Sequence, residues 1–353
     1  MARAPRTPKA PPIAEGAPAE PDLAPGAPAP REATTLIGHR DAAARIAASF
    51  AESPPQALLL EGPRGIGKAT LAFRLAKALL SSAAPPTPDL GSDPNGRAAA
   101  QVSAGTHPSL MHITRLWDEK NKRFRADLTV EAVRRIVPFL GATAAGGAWR
   151  IVIVDAADDM NISAANALLK NLEEPPRQTL FVLIAHVAGR VLPTLRSRCR
   201  AVRLRPLSRD EVAEALTLHG ANPALADASE GSVRRALLLA SAGAELVDKA
   251  QRLLSPRALA DPTAHLLLAD EAASRRDDAF AAVVDLIFDA LATRGRSGAG
   301  RLPADVLDAY AALYLEAAAE RRRIEIFNLD KREYVLNLLA RFAQADRAAR
   351  TAA

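Results

Sequence analysis

Along the first two hundred residues, short continuous apolar runs alternate with segments of helical periodicity. Leu58-Leu59-Leu60, Ile151-Val152-Ile153-Val154 and Leu180-Phe181-Val182-Leu183-Ile184 carry no polar interruption. Runs of that length suit strands buried on both faces of a parallel sheet. Residues 105–113 predict a further strand, and Val202 to Leu207 closes this part of the chain. Between the strands lie amphipathic stretches. Asp41 to Phe50 places Ala44, Ile46, Ala47 and Phe50 on one face, and Leu71 to Leu80 forms a second helix. A helix opening at Thr129 presents Val133, Ile136, Val137 and Leu140. Asn161 to Glu174 buries Ala165, Leu168, Leu169 and Leu172 and is stopped by Pro175-Pro176. Strand and helix in alternation predict an α/β domain with a parallel sheet and flanking helices, over residues 34–207.

The pattern changes on either side. Nine of the 26 prolines fall in the first thirty positions, among alanines and scattered charges. Such a segment buries too little surface to offset its ordering entropy, so residues 1–33 are expected to be a disordered tail. Ser81 to Ser103, rich in Pro, Gly, Ala and Asp, reads as an insertion loop. At Ser208 a capping box opens with Glu211 three residues on, beginning a small helical region, 208–245. Residues 246–353 hold further amphipathic segments (279–293, 303–322, 332–342) and predict an all-α bundle.

The chemistry starts where the first apolar run ends. Gly62-Pro63-Arg64-Gly65-Ile66-Gly67-Lys68 has the spacing of a phosphate-binding loop, flanked as the mechanism requires by a strand and a helix. The backbone N–H groups of Gly62, Arg64, Gly65 and Gly67 can turn around an anion, Lys68 reaches toward it, and the helix offers its positive end. The hydroxyl that would ligate Mg²⁺ should follow the lysine, but Ala69 stands there. Thr70 comes one residue late, rotated about 100° around the helix. At the end of the next core strand Asp155 is placed to hold a Mg²⁺ shell, but Ala156 follows where a glutamate would polarise water. Asp158 reads as a loop or cap residue. After Ile184 the chain offers Ala185-His186 where a polar γ-phosphate sensor would stand, with a structural role for His186 preferred. Phosphate binding is thus expected, and hydrolysis is not. Arg134 and Arg135 lie off the apolar face of their helix, as candidates for phosphate or DNA contact or as solvated charges.

Net charge is +6 over 353 residues, compatible with an anionic partner. Aromatic residues are only 4%, and no aromatic-interleaved basic platform stands out for a stand-alone nucleic-acid binder. Cys199 is the single cysteine, which excludes a disulfide framework or a multi-cysteine zinc site, and a small buried thiol is its default. His107 and His112 are too isolated for a metal site. His39 caps a turn or approaches a base, the cap being preferred. No run is long enough to span a bilayer, and the N-terminus lacks a signal-peptide core, so a cytoplasmic location is expected.

Taken together, the phosphate loop, Ile153-Val154-Asp155-Ala156-Ala157-Asp158, the run Asn166 to Pro176, Ser197-Arg198-Cys199 and Gly231-Ser232-Val233-Arg234 resemble the clamp-loader branch of the AAA+ ATPases, over about residues 36–245. Within that branch the chain is most similar to the delta-prime family of bacterial DNA polymerase III, which keeps the fold but has a degenerate ATPase centre. The resemblance implies a P-loop AAA+ domain, a helical lid and a C-terminal helical collar. It implies that Arg198 is an arginine finger offered to ATP in an adjacent subunit, and that Arg234 is the second-sensor arginine. It implies ATPase subunits, a delta-like subunit, the sliding clamp and primed DNA as partners. ATP is the candidate cofactor, with Mg²⁺ only alongside it. Zinc is not expected, because the stretch that carries a four-cysteine module in related subunits has none here. The rival readings are a hydrolysing clamp-loader ATPase subunit, favoured by the intact Gly62-to-Lys68 loop, and a stand-alone DNA-binding protein.

Overall fold

The fold is described from a computed structural model. It describes residues 20–352 apart from residues 22, 83, 121–122, 126, 142–148, 275–276 and 328. The chain divides into two compact units, Met1–Arg234 and Arg235–Ala353.

In chain order the first unit contains α1 (Arg40–Glu52), β1 (Ala57–Glu61), α2 (Lys68–Ser81), α3 (Arg97–Ser103), β2 (Leu110–Ile113), β3 (Trp117–Asp118), β4 (Arg123–Phe124), α4 (Val130–Arg134), α5 (Ile136–Gly141), β5 (Arg150–Asp155), α6 (Ile162–Glu173), β6 (Thr179–Ala185), α7 (Pro193–Arg196), β7 (Arg200–Arg203) and α8 (Arg209–Leu218). Five strands form one parallel sheet in the order β2-β5-β6-β1-β7. The three apolar runs are its three central strands. Leu58, Leu60, Ile151, Ile153, Val182 and Ile184 face α1 and α2, while Leu59, Val152, Val154, Phe181 and Leu183 face α4 to α6. Both faces are covered, which is why these strands show no alternation. Because the strands run the same way, the ends of β1, β5 and β6 deliver Glu61, Asp155 and Ala185 to one edge of the sheet, where a parallel sheet places its ligand sites.

Four sequence expectations are corrected. The proline-rich segment does not stay unstructured up to residue 33. Residues 1–19 lie outside the described residues, but Ala29 is buried and the backbone after it is held by side chains. Ser103 Oγ donates to the Arg31 carbonyl at 3.1 Å, Lys77 Nζ to Ala33 at 3.1 Å and Arg74 Nη1 to Thr34 at 2.9 Å. Carbonyls that a proline-rich stretch cannot pair in regular structure find partners on α2 and α3. Likewise, 81–103 is not all loop: its end is α3, whose Val102 joins Leu90 in the core. Third, Val137 is exposed rather than buried. The helix expected from Thr129 breaks at Arg135 into α4 and α5, and the break rotates Val137 outward while Val133, Ile136 and Leu140 stay in the core. Thr129, expected to cap the first of these helices, stands at its N-terminus without a side-chain cap hydrogen bond. Asn161 Oδ1 caps α6 by accepting from Ala164 N at 2.9 Å, and the Ser208–Glu211 capping box is present on α8.

After α9 (Val233–Ala242), which opens just before the unit boundary, the second unit is helical: α10 (Ala244–Leu253), α11 (Pro262–Ser274), α12 (Asp277–Gly298), α13 (Ala304–Phe327) and α14 (Lys331–Ala352). Val283, Ile287, Leu291, Val335, Leu338, Leu339 and Phe342 are buried among them. A buried carboxylate, Asp346, is bound by Arg294 and Arg350 and lies 3.4 Å from the Tyr310 hydroxyl. No described helix is long and apolar enough to cross a membrane.

Candidate nucleotide loop and arginine finger

β1 hands the chain directly to the phosphate loop. Gly65 and Gly67 have φ of +79° and +101°, conformations that side chains rarely adopt. At Gly65 space also forbids a side chain, since a Cβ would lie 2.4 Å from Ser232 Oγ and 2.5 Å from Arg234 Cβ. The loop's carbonyls are taken from outside. Ser232 Oγ donates to Arg64 O at 3.0 Å, Arg234 N donates to Gly65 O at 3.3 Å, and His39 Nε2 lies 2.7 Å from Ile66 O, which it binds as the Nε2–H tautomer. Three consecutive carbonyls are thereby committed outward, the arrangement that leaves a loop's N–H groups for an anion. Lys68 begins α2, buried, and its ammonium donates to Gly62 O at 2.6 Å and Pro63 O at 2.5 Å, folded back across its own loop.

Around this cradle the groups a metal would need are sparse. Ala69 packs against the sheet core and Thr70 is half-buried on the next helical position. Asp155 ends β5, two strands from the loop, followed by buried Ala156. Asp158 is engaged elsewhere. Its carboxylate accepts the backbone N–H groups of His186 and Val187 at 3.0 and 2.9 Å, fixing the loop that leaves β6. The residues therefore fit a phosphate group better than a fully ligated Mg²⁺. Among the described residues no group of three or more His, Cys, Asp or Glu converges to hold a metal.

Arg198 lies on the surface at the end of α7, its side chain 39% exposed. It donates to Glu173 Oε1 on α6 at 2.8 Å and to the Thr194 carbonyl at 3.0 Å. Glu173 is half exposed, and an ion pair in that setting is worth only about 0–1 kcal/mol. Neighbouring arginines are not equivalent. Arg196 and Arg203 both approach Glu61, each at 3.4 Å, and Glu61 is only 4% exposed. The Cys199 thiol, half-buried against the core on the α4–α6 side of the sheet, is pushed up to about 11 by burial and is inert as a nucleophile.

Over this region the chain is similar to known proteins. Residues 40–208 match the family described as "DNA polymerase III, delta subunit". The delta-prime subunit from Pseudomonas aeruginosa is 36% identical over 224 residues, covering 59% of this chain and 64% of that protein; the one from Escherichia coli is 37% identical over 150 residues, 42% of each. Over these stretches the chain is similar to delta-prime subunits of DNA polymerase III. A replication factor C small subunit from Aeropyrum pernix is 26% identical over 263 residues, covering 70% of this chain and 72% of that one. The matched stretch spans less than two thirds of the delta-prime relatives' own length.

Of the residues singled out in sequence, the structure gathers Gly62, Arg64, Gly65, Gly67, Lys68 and Arg234 at one loop. Arg134 and Arg135 sit at the α4–α5 break in the helical layer over the opposite sheet face from α2. Sequence reasoning missed Ser232 and Glu61. Ser232 was legible only as part of the Gly-Ser-Val-Arg run, and Glu61 read as the last residue of a strand. It also set aside His39, whose ring binds the loop directly.

Proposed function

We propose that this chain acts as a delta-prime-like stator of a clamp loader. It takes a place in a subunit ring, hydrolyses ATP poorly or not at all itself, presents Arg198 to ATP held by an adjacent ATPase subunit, and helps place the sliding clamp on primed DNA. The observation that carries the reading is a contrast. Arg198 stands outward on a weak surface ion pair, while the chain's own loop is followed by Ala69 and its Asp155 by Ala156. An arginine supplied in trans stabilises charge developing on the transferred phosphoryl group and is worth about 10³–10⁵ in rate where measured. Within the chain, residues 208–245 would be the lid and 246–353 the collar that meets other subunits. The setting would be the bacterial cytoplasm. Reconstitution with the cognate ATPase and delta-like subunits tests this: Arg198→Ala should cut DNA- and clamp-stimulated ATP turnover at least tenfold while the complex still assembles. Unchanged clamp loading would remove the role.

ATP would be held here without being hydrolysed. Gly62, Gly65, Gly67, Lys68 and Arg234 would hold the phosphates, once the Lys68 ammonium leaves the carbonyls of Gly62 and Pro63. The second reading, a hydrolysing subunit, draws its support from this loop and from Arg234 lying against Gly65.

A further inference from the structure

β7 is the outer strand of the sheet. It pairs with β1 in the register Leu59↔Ala201 and Glu61↔Arg203, and Leu204 N donates to Glu61 O at 2.8 Å. In a parallel ladder this directs the peptide groups of Val202 and Leu204 at β1 and those of Ala201 and Arg203 outward. No described backbone group pairs with that outer row. A groove of about 1090 Å³ runs between this edge and α1. Buried Ile46, Leu58, Val202 and Leu204 contribute to its lining, and five exposed arginines border it: Arg40 and Arg45 on α1, and Arg200, Arg203 and Arg205 on and just past β7. Arg203 reaches Glu61. The other four form no ion pair among the described residues. Two acids share the groove, Asp41 and Glu211, and Glu211 is already occupied by Ser208 N at 2.8 Å.

We propose that this groove receives an extended acidic segment of a partner protein, added to β7 as a sixth strand. The open N–H and C=O groups of Ala201 and Arg203 match the backbone of a strand, and the arginine border matches carboxylates on it. Each half of the surface argues against another occupant. A second copy's β7 would bring its own arginines into register with these, and like charges facing each other are unfavourable. A nucleic-acid strand would meet outward carbonyls and no Phe, Tyr or Trp on which to stack. A bare arginine patch would bind anions without regard to backbone; the open edge is what selects a peptide.

The test is fluorescence anisotropy on the full chain with a labelled octapeptide of alternating Glu and Val, beside a Lys/Val octapeptide and a labelled oligo-dT strand. The Glu/Val peptide should bind and the Lys/Val peptide should not. Arg200→Glu and Arg205→Glu should each weaken binding about tenfold. Ala201→Pro removes one outward N–H at a position where an edge strand tolerates proline, and should weaken the peptide several-fold while leaving the far-UV circular dichroism unchanged. Arg205→Glu, beyond the strand, keeps the test informative should the proline disturb the fold. Absence of Glu/Val binding overturns the proposal. So does peptide binding indifferent to Ala201→Pro in a folded variant, or tighter binding of oligo-dT that Arg200→Glu abolishes.

Discussion

Arg198 and its neighbours show how one residue type divides its work by surroundings. Arg196 and Arg203 are committed to a buried carboxylate, Glu61, whereas Arg198 rests on half-exposed Glu173, from which it can be drawn by a stronger anion. A phosphate can take both arms of an arginine in charge-assisted bonds, whereas half-exposed Glu173 takes one at a single oxygen. Glu173→Gln should therefore leave the fold and the complex's ATP turnover within about twofold of wild type, while Arg198→Lys, which keeps the charge but loses the fork, should fall most of the way to Arg198→Ala. Steady-state turnover of the reconstituted complex reads both. His112 supplies a residue-scale prediction about stability. Its ring packs edge-on to Phe73 with centroids 5.0 Å apart, and burial, with Arg31 adding to it, pushes its pKa from 6.5 down to about 3. Between those values the unfolded chain binds a proton that the folded chain refuses. The stabilisation from neutral His112 is thus complete above about pH 6.5 and is lost as pH falls toward 3, at up to about 1.4 kcal/mol per pH unit. Urea midpoints at pH 7 and pH 5 should differ more for wild type than for His112→Gln.

Among elements, the phosphate loop is the most tightly specified and the most exposed to a single added carbon. Gly65→Ala would put a methyl 2.4 Å from Ser232 Oγ at a φ of +79°, and should cost about 1–3 kcal/mol, lowering Tm by several degrees in a thermal melt. A melt within a degree of wild type would mean that residues 232–234 do not close on the loop. The central strands, the capping box at Ser208 and the loop itself could be read from the sequence, because each rests on local chemistry: continuous apolar runs, a side chain reaching three residues ahead, glycines at fixed spacing. What could not be read depends on contacts between distant segments. Ser232 reaches Arg64 across 168 positions, Asp158 fixes the loop after β6 across 28, and the carbonyls of Arg31, Ala33 and Thr34 are claimed by side chains of α2 and α3. A proline-rich composition argues for disorder only when no such partners exist. The break at Arg135 hid for a related reason, since Val133, Ile136, Val137 and Leu140 keep helical spacing although the two short helices do not share a phase.

At the scale of the molecule, the chain couples an anion cradle to a sheet edge poor in metal ligands, and that imbalance makes its own turnover the most informative measurement. Phosphoryl transfer needs the metal to bridge β- and γ-oxygens and a residue to orient water. Here the residues after Lys68 and Asp155 are alanines, and Asp158 commits both carboxylate oxygens to backbone N–H groups, so it cannot replace the missing glutamate without releasing the loop after β6. The purified chain should accordingly show ATP hydrolysis at background, unchanged by Lys68→Ala, even if equilibrium dialysis detects nucleotide. The assembled complex should hydrolyse ATP at a rate that Lys68→Ala leaves within about twofold and Arg198→Ala cuts at least tenfold. Each variant separates one site from the other: on the proposed function, Lys68 belongs to the cradle in this chain and Arg198 would serve a cradle in the next. Lys68-dependent turnover by the isolated chain would reverse the assignment, because a loop lacking both the hydroxyl and the glutamate would then have found its metal and its water through Thr70 and Asp155.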